Sequence, residues 1–128
     1  MSVEIEIVSF GYLHGQPPAD AHLTIDLRSH FRDPHVSPAL RYMTAHDAPV
    51  RETVMATPGI AALVEATAAA VIAYASGPSA GRVVVADGCA GGRHRAPTVA
   101  LALRDLLGRC GFTVSLRHRD LDKPVVER

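Results

Sequence analysis

Val83, Val84, Val85 and Ala86 run into Gly88-Cys89-Ala90-Gly91-Gly92-Arg93-His94-Arg95, and residues 98–109 then repeat apolar side chains at helical spacing. A short β-branched run, a glycine loop and a helix in that order predict one unit of a parallel α/β sheet, with the loop at the carboxyl edge where such sheets bind ligands. A helix start leaves backbone N–H groups unpaired at the positive end of the helix dipole, and Gly91 and Gly92 let another group approach the backbone closely. Arg93, His94 and Arg95 enter that first turn as cations, against the dipole. A bound anion would offset them. The competing reading is a tight strand-to-helix turn without a ligand, which glycine's permissive backbone would equally allow.

The rest of the chain supplies further α/β units. Ile5, Ile7 and Phe10, set against Glu4, Glu6 and Ser9, predict a strand with one face on the core, ended by Gly11. A Gly/Pro-rich loop over 11–20 precedes a second strand over 22–27. Residues 28–50 hold Asp33-Pro34-His35, Ser37-Pro38 and Ala48-Pro49, and read as a long functional loop with room for a short helix over 38–42. Residues 50–56 suit one helical turn. Thr57 and Pro58 read as the cap and first residue of an alanine-rich helix over 59–74 that stops near Ser76-Gly77-Pro78. A helix over 97–109, closed by Gly111, leads to a last strand over 112–116. The expectation is a single three-layer α/β domain over 1–128, with a mostly parallel sheet of about four strands.

The 128 residues are enough to bury a core without disulfides or metals. Thirteen basic and thirteen acidic residues balance to zero, so no global field draws the chain to nucleic acid and any basic surface is a local patch. Met1-Ser2-Val3-Glu4-Ile5-Glu6 has neither a basic nor an apolar leader region, and no later stretch is long and apolar enough for a bilayer. Cys89 and Cys110 lie about a helix length apart and read as free thiols. The expected compartment is the cytoplasm. His14, His22, His30, His35, His46, His94 and His118 show no metal-ligand spacing, so neither a metal nor a cofactor is expected.

Five residues separate Cys89 from Arg95, the spacing of the tyrosine-phosphatase loop, in which a thiolate attacks a phosphate clamped by arginine. The helix start and neighbouring cations would lower the thiol pKa as that chemistry requires. Against it, Gly88 and Ala96 occupy the usual helper positions, and Asp26, Asp33 and Asp47 are general-acid candidates by position alone. A cysteine-dependent phosphatase is therefore the runner-up to a binding domain. Arg117, His118, Arg119 and Lys123, with Arg128, form the one late basic cluster and the candidate RNA contact, diluted by Asp120, Asp122 and Glu127. An ordinary solvated strand end explains the same residues.

In chain order, Ser9-Phe10-Gly11-Tyr12, Asp26-Leu27-Arg28, Pro34-His35, Pro49-Val50-Arg51, the 88–95 loop and Arg117-His118-Arg119 resemble the C-terminal domain of the RNase adapter RapZ. The resemblance implies a domain that binds glucosamine 6-phosphate, contacts small regulatory RNA, presents it to a ribonuclease and works as an oligomer. Carried onto this chain, it implies a ligand site of Cys89, Ala90, Gly91, Gly92, Arg93, His94 and Arg95, approached by His35 and Arg51. Ala90 and Ala96 replace the Thr and Ser of the family's loop, removing two hydroxyl donors. The nucleotide-binding domain with its Gly-x-x-x-x-Gly-Lys-Ser/Thr loop has no counterpart here, so the expectation is a stand-alone domain. The family's strongly basic end is replaced by Asp122-Lys123-Pro124-Val125-Val126-Glu127-Arg128, which weakens the case for RNA. The leading expectation is a cytoplasmic sensor or adapter for a phosphorylated metabolite, in which ligand in the loop orders residues 30–51 for a macromolecular partner.

Overall fold

A computed structural model describes residues 3–79 and 81–128. Four parallel strands form one sheet: β1 Ile5–Gly11, β2 Leu23–Asp26, β3 Val83–Cys89 and β4 Val114–His118, in the spatial order β2-β3-β1-β4. Three helices accompany them: α1 Ala48–Met55, α2 Ile60–Ala75 and α3 Arg95–Arg109. The expected α/β class holds, and the sheet is wholly parallel. Met1 and Ser2, part of the leader reading, lie outside the described residues.

The register sorts the side chains. Ile5 pairs with Val83 and Val114, and Ile7 with Val85 and Leu116, so these residues share one face. They join Leu27, Val50, Val54, Ile60, Val64, Val71, Val99, Leu103 and Leu107 in one core, which puts all three helices on that face. Truncating a fully buried leucine such as Leu103 in such a core costs about 2–5 kcal/mol. On the other face Val8, Phe10, Val84 and Ala86 are also buried. The handedness of parallel crossovers sends the β2–β3 and β3–β4 connections over one face and the backward β1–β2 connection over the other. The third layer is thus the 12–22 loop, a segment with one 3-10 turn, Tyr12–His14.

Several local expectations shift for physical reasons. β1 is a central strand buried on both faces, so Phe10 lies opposite Ile5 and Ile7 instead of beside them. β3 runs on through Gly88 and Cys89, because a Cβ on Gly88 would sit 2.4 Å from the Phe10 ring and only glycine lets the two strands pair there. Thr57 does not cap α2: its hydroxyl donates to the Thr53 carbonyl, and Gly59, at φ 94°, occupies the cap position. Residues 38–42 form turns, the short helix in that loop being the 3-10 turn Pro34–Val36, while the predicted turn over 50–56 is a full helix, α1. The last strand begins later than expected and includes His118. Gly111, at φ 94°, follows α3 as anticipated.

Candidate functional site

The carboxyl ends of β1 and β3 meet at the glycine loop, and the two glycines there differ in what they do. Gly92 is required by the fold, since its φ is 75° and a Cβ on it would meet the Gly11 nitrogen at 2.8 Å and the Asp120 side chain at 3.0 Å. Gly11 is equally confined, its own Cβ position lying 2.4 Å from the Gly91 carbonyl carbon. A side chain on Gly91, by contrast, would meet nothing nearer than Arg128 Nη2 at 3.9 Å. Packing accounts for Gly11 and Gly92. It leaves open backbone at Gly91.

The three cations of the loop are engaged by acceptors of the protein itself. Arg95 is buried and donates to the carbonyls of Leu27 at 2.9 Å, Arg28 at 3.2 Å and Phe31 at 3.3 Å, with the Asp33 carboxylate 3.1 Å from Nη2. Between these carbonyls His30 takes the left-handed φ of 74°, reversing the chain around the guanidinium. His94 Nε2 faces two acceptors, the carbonyls of Leu40 at 3.1 Å and Met43 at 2.8 Å, so this nitrogen carries the proton. Burial holds the His94 pKa below the usual imidazole value, which favours the neutral ring. Arg93 donates to the Tyr42 carbonyl at 2.9 Å and the Lys123 carbonyl at 2.7 Å. The sequence assigned the negative partners of this triplet to an anion; backbone carbonyls and Asp33 supply them. They brace residues 27–43 against the loop without a ligand.

Cys89 faces the core beneath the start of α3 and is 2% exposed. Its sulfur accepts from the Ala96 N–H at 3.4 Å, and burial pushes the thiol pKa up, outweighing Arg95 and the N–H groups of Ala96 and Gly92. Nearby cations and the helix start predict the opposite shift, and desolvation of the buried thiol reverses it. Ala90 is half-buried and its carbonyl accepts from the Leu13 N–H at 3.0 Å.

The two residues expected from the variable loop have different surroundings. His35 sits in the 3-10 turn Pro34–Val36, whose cap is Asp33, and burial and the adjacent Arg128 lower its pKa. Arg128 also pairs with Asp33 at 2.7 Å, and the Asp33 carboxylate accepts from the His35 N–H at 3.0 Å, so these residues are linked to Gly91 through Arg128. Arg51 instead donates to the Ala45 carbonyl at 2.8 Å, bracing the loop before α1.

The late basic cluster is divided among different surroundings. Arg117 is exposed and shares the sheet face of Val8, whereas His118 shares the helix-bearing face of Ser9 and hydrogen-bonds its hydroxyl at 2.6 Å. Arg119 lies over the Phe10 ring and donates to the Gln16 carbonyl at 2.6 Å. Lys123 pairs with Asp120 at 2.6 Å. Asp120 is the residue the sequence reading missed: it is fully buried and accepts from the Gly11 N–H at 2.8 Å, fixing β1 against the loop. Beside them Arg28 stacks on Tyr12 at 3.6 Å and pairs with Asp26 at 2.8 Å. The Gly11–Asp120 and Arg119–Gln16 contacts join residues more than 100 positions apart, and no motif spacing announces them.

This arrangement defines a small parallel α/β domain with a glycine-rich strand-loop-helix open at the carboxyl edge of its sheet. The chain belongs to the RapZ C-terminal domain family, whose model matches residues 3–122. It is 40% identical over 120 residues to a "Nucleotide-binding protein" of Moorella thermoacetica, covering 91% of this chain and 40% of that protein. A protein of the same name from Heliobacterium modesticaldum is 35% identical over 124 residues, covering 94% and 40%. One from Thermobifida fusca is 37% identical over 120 residues, covering 91% and 40%. The chain therefore spans about two-fifths of the length of these curated relatives. Among the described residues no single helix is long and apolar enough to cross a membrane, and no group of His, Cys, Asp and Glu could hold a metal ion.

Proposed function

We propose that this domain binds a phosphorylated small metabolite, an amino-sugar phosphate of the glucosamine 6-phosphate type, on the backbone of the glycine loop, and acts in the cytoplasm as a regulatory or adapter domain. The observation that carries this reading is Gly91: neither positive φ nor close packing demands glycine there, yet its missing side chain leaves the loop backbone open at the carboxyl edge of the sheet. Membership of the RapZ C-terminal domain family supports the adapter role, with a small RNA or a ribonuclease as the macromolecular partner and a homo-oligomer as the working state. Residues 27–43 are already braced through Arg93, His94 and Arg95, so ligand would signal through the rim at His35 and Asp33 instead of ordering the whole segment.

Calorimetric titration with glucosamine 6-phosphate, glucosamine and inorganic phosphate tests the reading. Saturable binding of the sugar phosphate that disappears in Gly91→Val supports it. Absence of binding at millimolar ligand, or binding indifferent to Gly91→Val, defeats it. Phosphatase chemistry is the second reading, supported by the Cys89 to Arg95 spacing, but burial of the thiol and the carbonyl partners of Arg95 weigh against it. Turnover of an aryl phosphate that is abolished by Cys89→Ser would reverse the order of the two.

A further inference from the structure

The glycine loop contributes backbone to an anion, but its own cationic side chains are occupied elsewhere. Arg95 holds the carbonyls of Leu27, Arg28 and Phe31, His94 those of Leu40 and Met43, and Arg93 those of Tyr42 and Lys123. A side-chain cation within reach strengthens the hold on a phosphomonoester dianion. One is brought by residues 124–128, which lie beyond the 3–122 match to the family.

This arm is fastened at both ends. At its root, the Lys123 carbonyl accepts from Arg93 Nη1 at 2.7 Å, and the Lys123 ammonium lies 2.6 Å from Asp120. Val125 and Val126 are half-buried along its course. At its tip, Arg128 Nη1 meets Asp33 Oδ2 at 2.7 Å while Nη2 faces the open side of Gly91, 3.9 Å from where a Cβ would stand. The Arg128 side chain is 29% exposed, so it is placed by its partner yet open to solvent and to a ligand. Asp33 is shared with the buried Arg95, so an incoming dianion can take over Arg128 without leaving the Asp33 carboxylate unpaired.

We propose that Arg128 is a ligand-binding residue of the glycine-loop site, a cation carried in by the 124–128 arm that grips the phosphate seated on the Gly91 backbone. This rests on the function proposed above and adds the side chain that selects for a phosphorylated over a neutral sugar. Arginine's planar fork suits bidentate phosphate contact, whereas lysine would offer a point charge.

The experiment titrates wild type, Arg128→Ala and Arg128→Lys with glucosamine 6-phosphate, and follows thermal unfolding of each without ligand. Arg128→Ala should weaken binding by about tenfold or more, Arg128→Lys should recover part of the loss, and the unfolding midpoints should stay together because the arm is peripheral. Unchanged or tighter binding in Arg128→Ala overturns the role of Arg128 and leaves the proposed function standing. Wild type that fails to bind removes both. If Arg128→Ala lowers the unfolding midpoint along with affinity, and Arg128→Lys restores only the midpoint, the residue is structural and the proposal falls.

Discussion

Two aspartates flank the glycine loop, both withdrawn from water, and they ionise in opposite directions. Asp120 follows β4, accepts from the Gly11 N–H and lies beside Arg119 at 2.9 Å and Lys123 at 2.6 Å; these partners outweigh the cost of burial and hold its pKa below the ordinary range. Asp87 lies on the helix-bearing face of β3, level with Ser9, and neither of its oxygens has a hydrogen-bond partner. Burial there raises the pKa well above the ordinary value. The difference lies in the partners. Where the chain brings N–H groups and cations to a buried carboxylate it fastens a strand to the loop, and where it brings none burial favours the neutral acid.

Arg95 belongs with Asp120 in this contrast, as a buried charge held through its two terminal nitrogens by backbone carbonyls and Asp33. Arg95→Ala should give the largest effect, a loss of about 3–5 kcal/mol, because three buried carbonyls would lose their donor and Asp33 would keep only Arg128; urea denaturation measures it. This also makes Arg95→Ala a poor probe of ligand binding, since a loss would report the collapse of residues 27–43. Asp120→Ala should cost about 3 kcal/mol by the same logic and should loosen the loop, visible as faster amide exchange at Gly11. A cost under 1 kcal/mol there would mean that the partners do not act as a unit.

Asp87→Ile should move the other way, stabilising the protein by about 1–3 kcal/mol at neutral pH through removal of unsatisfied polar atoms. The two sites also predict opposite pH trends. The raised native pKa of Asp87 means that the unfolded chain loses this proton first, so stability falls as pH rises from about 4 toward the native value. Asp120 and Asp33, with lowered native values, contribute stability that is present above about pH 4 and lost as pH falls through their native pKa. Stability measured against pH in wild type and Asp87→Ile separates the trends, and an unaltered slope in the variant would show that Asp87 is ionised in the native state. The smallest effect is expected from Lys123→Ala, under about 1 kcal/mol, since its ammonium is half exposed and water can replace it.

Much of the fold could be read along the chain because its elements carry local signals. The apolar run of β3, the alanine-rich α2 and Gly111 after α3 all lie where residue pattern and turn chemistry put them. The misread boundaries have tertiary causes: β3 extends because Gly88 clears the Phe10 ring, and Thr57 turns to Thr53 while Gly59 leads into α2. The glycine loop was legible as a place and not as an arrangement. The loop could be named, whereas Arg51 and the three loop cations found partners among backbone carbonyls, which have no identity in a sequence.

The sequence by itself determined the α/β alternation, the position of the glycine loop and the family, because propensity, periodicity and motif are properties of neighbouring residues. Only the tertiary structure decided which glycine is structural and which is open, which way Cys89 titrates and which cation faces the loop. Each of those turns on desolvation and on contacts between residues such as Asp33 and Arg128, 95 positions apart, and burial together with partner choice exists only once the strands have been brought into one sheet.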